Sequence, residues 1–119
     1  MDIKEILSDL SQAYGVSGSE GNAAEVALNI LRNYTANCYI DKSGNVIGEF
    51  GERRADCPYL MIDSHIDQVG LIVTSITEKG FIRFGNVGGI DRRLLSAQSV
   101  IIHGRKKLRG CLLYTSDAA

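Results

Sequence analysis

Three observations place this 119-residue chain in the α/β class. Apolar residues recur at helical spacing as far as Leu31, and a period of two takes over after Tyr34. One unbroken apolar run, Tyr59-Leu60-Met61-Ile62, then suits a strand covered on both faces. Helix, helix, strand, strand, strand is the order of an α/β layer structure.

Each element has its own signal. Ile3, Ile6, Leu7 and Leu10 fall at i, i+3, i+4 and i+7, one face of an amphipathic helix. The stretch Tyr14–Gly21 breaks it, with Gly15, Gly18 and Gly21 supplying turns. A second helix is expected from Ser19 or Gly21, with Ser19 as its N-cap, burying Ala23, Val26, Ala27, Ile30 and Leu31. Cys38 and Ile40, the turn Asp41-Lys42-Ser43-Gly44-Asn45, then Val46 and Ile47 read as a hairpin. Pro58 opens the third strand, where a missing N–H costs little.

From about residue 70 the chain reads as all-β. Leu71–Thr77 and Phe81–Phe84 flank the turn Glu78-Lys79-Gly80, a second hairpin. Ser99–His103 is a further strand, and Leu108 begins another.

Composition narrows the function classes. Hydrophobic residues at 45% and charged residues at 23% are ordinary globular usage. A net charge of −1 argues against a nucleic-acid surface, which needs a basic excess. Arg105, Lys106 and Lys107 follow His103-Gly104 and read as a solvated turn. Cys38, Cys57 and Cys111 form no C-x-x-C pair, so no zinc knuckle or redox motif is written here. With no signal-peptide pattern and no run of about 20 apolar residues, a soluble cytoplasmic protein without membrane contact is expected.

Chemistry concentrates in Asp63-Ser64-His65-Ile66-Asp67. In an extended chain Asp63, His65 and Asp67 share one side, directly after the buried run. Ligand sites of open α/β sheets gather beyond the carboxyl ends of strands. A neutral imidazole there suits zinc, cobalt or nickel, and a carboxylate two residues on can hold its other nitrogen. Taken by spacing alone, such a pair is more often a surface hydrogen bond or a strand cap. Asp63 reads as a hydrogen-bonding group near the strand end, and His103 as an edge-strand or turn histidine.

Five blocks resemble one family in order and spacing: Gly15–Glu20, Asp41–Asn45, His65–Thr74, Gly80–Phe84 and Val87–Leu95. The chain is similar, from about residue 3 to Gly110, to the dinuclear metal aminopeptidases that assemble into tetrahedral particles, the glutamyl or deblocking aminopeptidase type. That resemblance implies an amino-terminal part of a zinc-exopeptidase-type catalytic α/β domain in residues 1–69. Residues 70–110 would then start an inserted small β domain. His65 matches the first metal-ligating histidine, and Asp67 the acid behind it with a catalytic orienting role. Gln68 stands where the family most often has Glu, a position that is not a metal ligand.

The implied chemistry is hydrolysis of N-terminal peptide bonds by two divalent ions, zinc or cobalt, in a homo-oligomer, a tetrahedral dodecamer, acting on peptide substrates. The remaining ligands lie later in the family's chain, so the sequence as written is expected to be an inactive fragment. Residues 111–119 depart from the family pattern and read as appended, non-native sequence. Two alternatives are a short β-rich interaction module that pairs strands with a partner, and a glycoside hydrolase, as some relatives are labelled.

Overall fold

The computed structural model describes residues 2–52 and 54–113. Helix α1 spans Ile3–Gln12, begun by Asp2, whose N–H donates to Glu5 Oε2 at 3.2 Å. Helix α2 spans Gly21–Leu31. Three antiparallel hairpins follow: β1 (Cys38–Ile40) with β2 (Val46–Gly48), β3 (Gly70–Ile76) with β4 (Ile82–Val87), and β5 (Ser99–His103) with β6 (Lys107–Cys111). The chain is therefore mixed α/β, each sheet two-stranded among the described residues.

Contacts divide the chain into two compact units, Met1–Gly88 and Gly89–Ala119. In the first, α2 packs against α1, β1 and β2. Its core is small: Ala13, Ala23, Ala24 and Leu28 are buried. Val26, Ala27, Ile30 and Leu31, expected in the core with Ala23, are half-buried instead. The true inward stripe is rotated toward Ala24 and Leu28. Ser19 does not cap α2 either; Glu20 occupies that place in a helical conformation. Ser19 is drawn into the preceding turn, its N–H donating to Val16 O at 2.7 Å.

Helical spacing in α1 gave the element without burying it, since Ile3 and Leu7 stay exposed. The larger correction concerns Tyr59–Ile62. No strand forms there, and Leu60, Met61 and Ile62 are more than four-fifths exposed. A strand covered on both faces needs strand neighbours for its backbone, and no described strand pairs with residues 59–62.

The hairpins follow local chemistry closely. At the β1–β2 turn Asp41 Oδ1 accepts from Ser43 N at 2.8 Å and Asn45 N at 2.9 Å, while Gly44 takes φ 88°. An Asp whose side chain imitates a backbone turn, followed by a glycine free to adopt positive φ, closes the hairpin. In β3–β4 the register shifts between Val73 and Ser75, a bulge. From Gly70 onward the described residues form two hairpins and a short 3₁₀ helix with no α-helix, and the β3–β4 hairpin groups with the first unit.

In the second unit, β5 and β6 pair from Ser99↔Cys111 to His103↔Lys107. Residues 104–106 form the turn, which places the basic cluster at a hairpin tip. Cys111 lies in the strand, and Leu112 beyond it is buried, exchanging backbone bonds with Ala97 and Gln98 at 2.9 Å. The rest of the 111–119 tail, residues 114–119, lies outside the described residues. A short 3₁₀ helix, Arg92–Leu94, starts at Asp91, whose carboxylate accepts from Arg93 N and grips the Arg93 guanidinium at 2.7 Å.

Candidate functional site

His65 and Asp67 stand in an irregular stretch that runs from Pro58 to Asp67, with no strand ending beside them. Their expected contact is present: His65 Nδ1 lies 3.0 Å from Asp67 Oδ1 and 3.2 Å from the Asp67 carbonyl oxygen. Both acceptors favour a proton on Nδ1, which leaves the Nε2 lone pair free in a side chain 86% exposed. Asp63 is exposed in the same stretch, with no strand end for it to cap.

The other carboxylate oxygen is also engaged. Ser17 Oγ donates to Asp67 Oδ2 at 2.5 Å, across 50 residues of sequence. Ser17 belongs to the connection between α1 and α2, and backbone bonds dock that connection here. Gln68 N donates to Gly15 O at 2.7 Å, and Val16 pairs with Gln68 in a parallel bridge. The Gln68 amide adds a bond to Ala13 O at 3.2 Å. Close approach depends on glycine, because a Cβ on Gly70 would sit 2.4 Å from Val16 Cγ2.

These contacts set the electrostatics. The Ser17 hydroxyl, then His65, holds the Asp67 carboxyl below its ordinary value of 3.8. A carboxylate that only accepts is stabilised in its charged form by each donor. The arrangement is an exposed imidazole nitrogen backed by an oriented, ionised acid, the outer support that metal-binding histidines carry. Among the described residues no three His, Cys, Asp or Glu side chains are placed to share one metal ion. A groove of about 510 Å³, lined by Asp9, Gln12, Asn22, Asn29 and other residues of α1, α2 and their flanks, contains neither His65 nor Asp67.

Sequence reasoning paired His65 with Asp67 and missed Ser17 and the anchoring role of Gln68. No spacing rule links positions 50 apart. The only available signal was that both stretches belonged to the same set of resembling blocks.

The chain is similar to known proteins. The chain is 32% identical over 97 residues to the lysyl aminopeptidase of Pyrococcus furiosus, covering 81% of this chain and 27% of that protein. An endoglucanase of Thermotoga maritima superposes with a TM-score of 0.78 at 31% identity, over 92% of this chain and 34% of its own. The PhTET1-12s dodecamer superposes with a TM-score of 0.76 at 31% identity, over 98% of this chain and 35% of its own. The chain thus spans 27% to 30% of the length of the first curated relatives it matches. Residues 44–118, more than half of the chain, match the M42 glutamyl aminopeptidases, and the chain belongs to that family.

Proposed function

We propose that this chain is the amino-terminal part of a metal-dependent aminopeptidase that hydrolyses N-terminal peptide bonds, and that it is inactive by itself. The observation that carries the reading is the His65–Asp67 pair, an exposed Nε2 behind which Nδ1 is held by an acid. Its donor chemistry fits a divalent ion such as zinc or cobalt, with His65 as ligand and Asp67 as its orienting acid. A bound ion would polarise the scissile carbonyl and lower the pKa of a water. Residues of this chain would do less: His65 would supply one ligand, and Asp67 would keep its tautomer and direction. One imidazole is too few for a defined site, so the other ligands come, in this reading, from sequence beyond these 119 residues.

The name of the Pyrococcus furiosus relative supports a peptide substrate, and the PhTET1-12s dodecamer supports assembly of the whole protein into a homo-oligomer. A cytoplasmic setting belongs to the same proposal, supported by three free cysteines. The boundary of an inserted β domain at residue 70 does too, supported by the start of β3.

The test uses the uninterrupted protein with divalent ions on aminoacyl substrates. Hydrolysis is expected, lost on His65→Ala and reduced about 10–100-fold on Asp67→Asn, the usual cost of removing a histidine's supporting group. Activity untouched by His65→Ala would overturn the assignment. The Thermotoga maritima endoglucanase favours a second reading, glycoside hydrolysis. Turnover of soluble cellulose without turnover of aminoacyl substrates would establish that reading in place of the first.

A further inference from the structure

We infer that Ser17 is the positioning residue of the His65–Asp67 pair: its hydroxyl holds one Asp67 oxygen so that the other keeps His65 in its Nδ1–H form. The inference rests on the metallopeptidase reading only for what meets Nε2. The tautomer itself is a property of this chain.

An exposed His–Asp contact two residues apart is weak by itself. Asp67 can rotate about its side-chain torsions, and water competes at both groups, which are 39% and 86% exposed. Something must choose the carboxylate's orientation. Ser17 does so from the opposite side, through Oδ2, while Oδ1 faces His65. The direction of the chain of bonds is forced by chemistry. An ionised carboxylate has no proton to give, so the Ser17 O–H donates to Oδ2 and the imidazole N–H donates to Oδ1. Each donor strengthens the acid's hold on the ionised form and neither competes for the same oxygen.

Ser17 is itself fixed at both sides. Val16 before it bridges to Gln68 and accepts from Ser19 N at 2.7 Å. Gly18 after it donates its N–H to Glu20 Oε1 at 2.5 Å. The Gln68 N–H and side-chain amide pin the residue that follows Asp67 to Gly15 and Ala13. The hydroxyl and the carboxylate are thus carried on two backbone segments tied to each other beside the pair, through Gln68. That arrangement is the sort of support that keeps a ligand's orientation from being left to rotamer chance.

A latch that only fastens the loop would show the same bond, so the test reads the ring. Nitrogen-15 spectra of the full 119-residue chain report which ring nitrogen carries the proton, with His103→Gln assigning the two histidines. With neutral rings, His65 is expected mainly as Nδ1–H. Ser17→Ala should lose that majority while the amide spectrum stays native, and Ser17→Thr should restore it. If Ser17→Ala does not fold, Ser17→Cys, a weaker donor, must show less Nδ1–H than Ser17→Thr. A wild-type ring mainly in the Nε2–H form, or a folded Ser17→Ala with an unchanged ring, overturns the inference. If the ring responds as expected and the uninterrupted protein hydrolyses no peptide, Ser17's role stands and the aminopeptidase reading falls.

Discussion

Asp41 and Asp67, like Asp91, are carboxylates held below their ordinary range by hydrogen bonds, and the first two differ in where the donors come from. Asp41 is served by Asn45 first, then by Ser43 and Gly44, all within four residues. Asp67 is served first by Ser17, from the far side of α2 and the β1–β2 hairpin. The first arrangement draws only on residues of its own turn. The second exists only if the connection between α1 and α2 docks against residues 66–70. Local order costs little chain entropy, whereas the remote cluster must be stabilised by the backbone bonds and close packing that bring its halves together.

The sharpest way to break that contrast is Gly70→Ala. Its new Cβ would meet the branched side chain of Val16 at 2.4 Å, with Val16 Cβ itself only 3.1 Å away. Overpacking of this kind costs about 1–3 kcal/mol. Chemical denaturation should show the loss, and His65 should lose its fixed tautomer while the Asp41 turn keeps its amide shifts. Gln68→Glu comes next. It replaces the amide donor to Ala13 O with a carboxylate facing a carbonyl, at a cost of about 1–3 kcal/mol for an acceptor left without its donor. An unchanged midpoint would mean that the side chain of Gln68 does not anchor the loop.

Acid separates the two carboxylates more gently. Asp41 has a depressed pKa when folded, so its contribution is complete above 3.8 and is lost as pH falls through the lower folded-state value. Asp41→Ala should therefore flatten part of the loss of stability below that point and leave the curve near neutrality parallel to wild type. A titration of Tm against pH reads this directly, and an identical acid limb would refute it. The smallest effect is expected for Leu60→Ala, which removes a side chain 85% exposed and should change stability by less than about 0.5 kcal/mol. A loss well above that would mean the apolar run is covered in solution, as a strand-pairing module would require.

Leu60 also shows where pattern reading stops. Tyr59–Ile62 carries an unbroken apolar run and was expected to be a buried strand. Burial, however, is a property of what lies opposite, and a run of side chains cannot state its partner. Helix α1 repeats the lesson, since its period is right and its apolar face remains open at Ile3 and Leu7. For the site, His65 and Asp67 could be paired because an extended chain brings alternate residues together, and resemblance raised that pair above chance. Ser17 was quoted in a neighbouring block and given no role, because nothing short of the folded backbone relates residues 17 and 67.

By itself, then, the sequence determined what short range can decide. The two helices, the hairpin turns at Asp41–Asn45 and Glu78–Gly80 and the His65–Asp67 contact all depend on groups a few residues apart. The tertiary structure alone decided which apolar faces are covered, that α2 turns Ala24 and Leu28 inward, and that Ser17 closes on Asp67. The physical reason is the same throughout. Propensity and periodicity act through neighbouring torsions, while burial and remote hydrogen bonds depend on which distant backbone segments can approach, here through the missing side chain of Gly70.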